Sequence, residues 1–227
     1  MLWIGKRKGK KMSQPRQSKQ SRAKKAEHTL RKGDVATTAL IAVDVQRDFY
    51  HPQGALAVQH GEEVIAPLVK LAEEVGYVVA TRDYHPANHC SFVEQGGQWP
   101  EHCVARKAEP TTMDEAAVEY GSDLHPEVEK HASIVVSKGC DADVEAYSAF
   151  DGTGLAATLK ERGIATVIVG GLATDYCVKA TALDATKEGF QAIVVKSACR
   201  AVNVHARDED RAYGELLAAG VTLWETF

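Results

Sequence analysis

Short apolar runs rich in β-branched residues alternate along the chain with stretches of helical period, and that alternation narrows the fold more than any other feature. The runs are "ALIAVDV" from Ala39, "YVVATRD" from Tyr77, "SIVVSKG" from Ser133, "TVIVGGL" from Thr166, "QAIVVKSA" from Gln191 and "TLWE" from Thr222. Between them the spacing predicts helices over Glu62 to Val75, Gly154 to Arg162, about Thr174 to Glu188 and about Arg207 to Ala219. Strands without a polar face must be covered on both sides, and strands separated by helices pair in parallel. The expected architecture is therefore α/β, a three-layer αβα arrangement around a doubly wound, mostly parallel sheet. At 227 residues and 44% hydrophobic, the chain is sized for one such domain, placed at residues 34–227. Pro86 to His131 is the exception: no period holds there, Gly, Pro, His and Trp recur, and an irregular stretch of that length in a compact domain points to function.

The formal net charge of −4 conceals an asymmetry. Met1 to Gly33 carries 12 of the 27 Lys and Arg and a single acid, Glu27, which leaves fifteen bases against thirty acids in the remainder. This head has almost no apolar period and cannot offset its ordering entropy, so residues 1–33 are expected to be a disordered basic extension. Nucleic-acid contact, targeting, a solvated extension or sequence upstream of a start at Met12 all fit such a run. The acidic body would repel a nucleic acid backbone, which counts against nucleic acid as a partner of anything but the tail. With no secretory h-region and no long apolar span, a soluble, cytoplasmic protein without a membrane partner is expected. Five cysteines without a CxxC pair argue against a disulfide framework and leave room for a reduced, reactive thiol.

The chemically capable residues fall at one edge. Asp44 ends the first strand, Asp83 and His85 follow the second, Lys138 the third, and Cys177 lies just past the fourth. In an open parallel sheet the carboxyl ends share a rim, and ligands bind there. Cys177, in "GGLATDYCVKATALDA", would stand in the first turn of a helix, where free N–H groups and the dipole favour a thiolate. Asp44 could accept its proton and return it to a leaving amine while Lys138 balances charge. Asp83 and His85, one residue apart on an extended segment, can face one cation. "QWPEHC" offers His102 as a third donor, and His89 is a spare that would be a fourth ligand or a supporting partner. Two imidazoles and a carboxylate suit zinc, iron or manganese. Cys90 and Cys103 each follow a histidine, but their spacing is wrong for a structural zinc clip. Phe49, Trp99 and Tyr147 lie close in sequence to these residues and could hold a flat ring.

Taken together, "ALIAVDVQRDF", "TRDYHPANHCSF", "WPEHC", "VSKG…YSAF" and "GGLATDYCVKATALDA" resemble the nicotinamidase branch of the isochorismatase-like cysteine hydrolases, from about Ala39 to Ala201. The resemblance implies the isochorismatase-like hydrolase fold and an Asp44, Lys138 and Cys177 triad. It further implies a divalent metal, zinc first, on Asp83, His85 and His102, and a cis Leu172–Ala173 peptide with the amides of Ala173 and Cys177 as oxyanion hole. Phe49, Trp99 and Tyr147 would hold the substrate ring. The implied activity is hydrolysis of nicotinamide to nicotinate and ammonia through a thioester, serving NAD salvage, with pyrazinamide as a further substrate. An amidase for another small heteroaromatic carboxamide and a silent metal-binding protein remain open, as does assembly into a homo-oligomer.

Overall fold

The computed structural model describes residues 30–31, 33–106 and 119–227, so nearly all of the basic head lies outside the described residues. Six strands, β1 Thr38–Val43, β2 Tyr77–Asp83, β3 Ile134–Lys138, β4 Thr166–Leu172, β5 Gln191–Arg200 and β6 Thr222–Trp224, form one sheet in the order β3-β2-β1-β4-β5-β6. Every neighbouring pair is parallel, so the sheet is wholly parallel where the sequence suggested only mostly so. The reason is visible in the central strand. All six residues of β1 are buried, and the period of two divides its side chains between two cores.

Ala39, Ile41 and Val43 join one core with α4 Leu155–Glu161, α5 Lys179–Lys187 and α6 Asp208–Ala218, through Leu155, Leu159, Ala182 and Leu216. Leu40 and Ala42 join the other with α2 Ile65–Glu74 and α3 Pro126–His131, through Leu68, Leu71 and Val128. A short turn, α1 Arg47–Tyr50, follows β1. Each buried Leu, Ile or Val contributes about 1.5–3 kcal/mol, so a sheet sandwiched on both faces carries most of the stability.

Three sequence expectations need correction. The Pro86 to His131 stretch ends in helix α3, started by His125, whose Nδ1 accepts the Glu127 N–H, and by Pro126 at its first turn. Helix α5 begins only at Lys179, because Thr174–Val178 is wound as a π-helical turn whose Tyr176 and Val178 amides both donate to the Ala173 carbonyl. The fifth strand extends to Arg200. Strand order reverses between β1 and β4, which makes their carboxyl ends the switch point where a crevice must open. Gly171 lets the chain pass there: its φ is +126°, and any Cβ would run into the backbone of Val43.

Candidate active site

A cleft of about 450 Å³ opens at that switch point. Cys177 lies in its floor, in the Thr174–Val178 turn that leaves β4. Behind it stands Lys138, the last residue of β3, with its Nζ 3.4 Å from Cys177 Sγ, 2.9 Å from Asp44 Oδ2, 2.5 Å from Asp83 Oδ1 and 3.2 Å from the Ala146 carbonyl. Both the lysine and Asp44 are withdrawn from solvent. One ammonium thus serves two buried carboxylates and a thiol.

Asp44 takes up a left-handed backbone, φ +48°, as the chain turns out of β1. Thr81 fixes its side chain by donating from Oγ1 to Asp44 Oδ1 at 2.6 Å. Oδ2 keeps the lysine charge but no well-directed hydrogen bond, and a carboxylate oxygen of Asp44 lies within 4.8 Å of the thiol. Burial pushes the Asp44 carboxyl above its ordinary range, although Lys138 pulls it down. Burial likewise pushes the Cys177 thiol well above its ordinary range, again against Lys138. Burial thus opposes the thiolate that the start of a helix would favour. For Lys138 the order reverses: burial would lower it, but Asp44 and Asp83 hold it well above the usual lysine range.

The donor atoms of Asp83, His85 and His102 lie within 4.8 Å of one another, and all three residues are buried. His85 Nδ1 lies 2.9 Å from the Gly139 carbonyl and His102 Nδ1 2.7 Å from that of Pro100. A carbonyl only accepts, so both Nδ1 atoms carry a proton, and in the neutral rings both Nε2 atoms keep a lone pair, as in histidines that ligate a metal. Burial lowers the pKa of His102, which favours the neutral ring a metal needs. The chemistry of this set fits one divalent cation.

His89 has a different position. Its Nε2 donates to the Val144 carbonyl at 3.1 Å and its Nδ1 accepts from Ser91 Oγ at 2.7 Å, so neither nitrogen is free for an ion. The ring instead stacks on His85 with centroids 4.1 Å apart. Cys90 and Cys103 are free thiols and join no metal-type cluster among the described residues.

Phe49, Trp99 and Tyr147 all line the cleft. Trp99 Nε1 donates to Tyr147 Oη at 3.0 Å, and Trp99 meets Tyr176 edge-on at 4.9 Å. Tyr176 escaped the sequence reading although it adjoins Cys177. Gln46 escaped it too: its Nε2 donates to the Asp83 carbonyl at 2.8 Å and its Oε1 accepts the Asp83 N–H at 2.7 Å, which clamps the backbone of that residue. The available signal was an amide two residues beyond Asp44, directly after the apolar Val45. The peptide between Leu172 and Ala173 is cis, and Ala173 and Cys177 bracket the turn at the cleft floor.

This geometry can now be set beside known proteins. The family model for the Isochorismatase domain matches residues 38–226. The chain belongs to the isochorismatase family. Among curated members it is 37% identical over 215 residues to a nicotinamidase of Acinetobacter baylyi, covering 85% of this chain and 94% of the relative. Among solved structures it is similar to PnC1 from L. infantum in complex with nicotinate, with a TM-score of 0.75 and 35% identity over 87% of this chain and 96% of that one. The pyrazinamidase of Pyrococcus horikoshii in complex with zinc has a TM-score of 0.68 and 40% identity, covering 82% and 98%. The sheet of this isochorismatase-family chain is the one those structures share. Among its described residues no helix is long and apolar enough to cross a membrane.

Proposed function

We propose that this protein is an amidase that hydrolyses nicotinamide to nicotinate and ammonia through a thioester on Cys177. The observation that carries the reading is the meeting, in one cleft, of a thiol backed by Asp44 and Lys138 with the Asp83, His85 and His102 donor set. Zinc is the ion proposed for that set, with iron and manganese satisfied by the same donors. When bound, the ion supplies a Lewis-acidic anchor for a pyridine nitrogen. The amidases named among the relatives support the same substrate, and pyrazinamide belongs with it because the Mycobacterium tuberculosis relative is a nicotinamidase/pyrazinamidase.

The rest follows from residues of the chain. Phe49, Trp99 and Tyr147 hold the ring and exclude water from its faces. Asp44 Oδ2 takes the thiol proton as sulfur attacks the carboxamide carbon, and Lys138 compensates the charge during transfer. The amides of Ala173 and Cys177 receive the developing oxyanion. Collapse breaks the C–N bond, and Asp44 returns its proton to the departing nitrogen, so ammonia leaves and a thioester remains. Asp44 then takes a proton from an attacking water, the C–S bond breaks, and the proton returns to sulfur.

The test is ammonia release from nicotinamide by the metal-loaded protein beside Cys177→Ala and a chelator-treated sample. Release lost in both controls supports the reading; no release from metal-loaded wild type would remove nicotinamide as substrate.

A further inference from the structure

The proposed reaction starts from a neutral amide and ends with an anion, yet apart from the cation proposed for Asp83, His85 and His102 the described residues lining the cleft bring no lysine or arginine to it. They include two acids, Asp83 among the metal-type donors and Glu145 near the mouth. Lys138 does not compensate, because its side chain is sealed from solvent and already paired with Asp44 and Asp83. A site shaped to hold a carboxylate would place a guanidinium or ammonium on its wall. Glu145 is exposed, and its Oε1 accepts the Ala146 N–H at 3.2 Å, while the carbonyl of Ala146 accepts from Lys138. The carboxylate is thereby tied to the residue that Lys138 grips. It also borders a second, open cavity of about 960 Å³ whose wall includes Asp141 and Asp151.

We infer that Glu145 is a specificity-determining residue that sets the cleft against carboxylates, admitting the neutral carboxamide and hastening departure of the acid formed from it. The inference rests on the amidase reading above. Glu145 touches no reacting atom in this account; it acts through its charge from the exposed side of the cleft. Such a charge changes the affinity of an anion by on the order of threefold at low salt, an effect that ions in solution screen.

The test compares metal-loaded wild type with Glu145→Gln, using Glu161→Gln at the opposite edge of the sheet as a control for net charge. Two quantities are read: the dissociation constant of nicotinate by calorimetric titration, and the KM of nicotinamide. The expected result for Glu145→Gln is nicotinate binding tighter by about threefold at low salt, with nicotinamide KM moved less than twofold and the difference gone at about 0.5 M salt. Glu161→Gln should leave both unchanged. If nicotinate and nicotinamide shift together, if neither shifts, or if the gain survives high salt, the inference is overturned. Failure of wild type to release ammonia is a separate result that sinks the amidase reading, whereas the nicotinate titration needs no turnover.

Discussion

Replacing Thr81 by valine probes whether the site depends on how Asp44 is held. Thr81 is fully buried in β2 and its Oγ1 makes two bonds to one residue, donating to Asp44 Oδ1 at 2.6 Å and accepting the Asp44 N–H at 3.1 Å. Valine matches threonine in shape, so the change opens no cavity and removes only the hydroxyl. The Asp44 N–H keeps the Thr81 carbonyl at 3.2 Å, but Oδ1 loses its only side-chain donor among the described residues. A hydrogen bond to a buried carboxylate is worth about 1.5–3 kcal/mol, so unfolding free energy should fall by about 2 kcal/mol in urea titrations followed by circular dichroism. With Oδ1 released, the carboxylate can turn and take Oδ2 away from Sγ. General acid–base help contributes about 10²–10⁴-fold, and partial misalignment should lower kcat for ammonia release by about 10- to 100-fold. Nicotinamide KM should stay within twofold, since Thr81 is not in the cleft wall. Thr81→Ser restores the hydroxyl and should recover most of both losses. Wild-type kcat in Thr81→Val would refute the assignment of Oδ2 as the proton acceptor, and a serine variant as poor as valine would show that the hydroxyl alone does not account for the loss.

Other perturbations follow from the same geometry. Lys138→Met leaves Asp44 and Asp83 buried without their cation and should cost about 3–5 kcal/mol, read as a large drop in melting temperature; an unchanged melt would mean that the ion pairs contribute nothing to the fold. Gly139→Ala places a Cβ against the His85 ring at a backbone φ of +62°, so bound zinc, measured by atomic absorption after dialysis, should weaken by about 10- to 100-fold. Stability should also fall with acid through His125. Its Nδ1 accepts the Glu127 N–H only when neutral, and burial lowers its pKa below the ordinary 6.5. The unfolded chain therefore binds the proton more tightly, so this stability is present above about pH 6.5 and is lost as pH falls through the folded value. His125→Asn keeps a capping side chain that does not titrate, and its melting temperature should drop less than that of wild type between pH 7.5 and 5; equal drops would exclude the histidine.

The sequence could reveal the rim because strand ends are local facts. A run such as "ALIAVDV" announces both its burial and the residue at which it stops, and Asp44, Asp83, Lys138 and Cys177 are each placed by the strand that precedes them. What a strand end cannot announce is who meets whom across the rim. Thr81 looks like any β-branched strand former until β2 lies beside β1 and its hydroxyl reaches Asp44. His89 and His102 are equivalent by composition, and only in the fold does the carbonyl of Val144, far along the chain, take the Nε2 proton of His89 while the neighbouring Pro100 carbonyl takes the Nδ1 proton of His102. The pull on the Cys177 proton is divided for the same reason. Its place at the head of a turn is readable and argues for a thiolate, but its burial is tertiary and argues more strongly for the thiol. A thiol whose proton is held by burial needs a base within reach, and Asp44, itself buried, brings a carboxylate oxygen within 4.8 Å of the sulfur. A carboxylate in water would be a poorer acceptor for so reluctant a proton, so the burial that raises the thiol also raises the base that must match it.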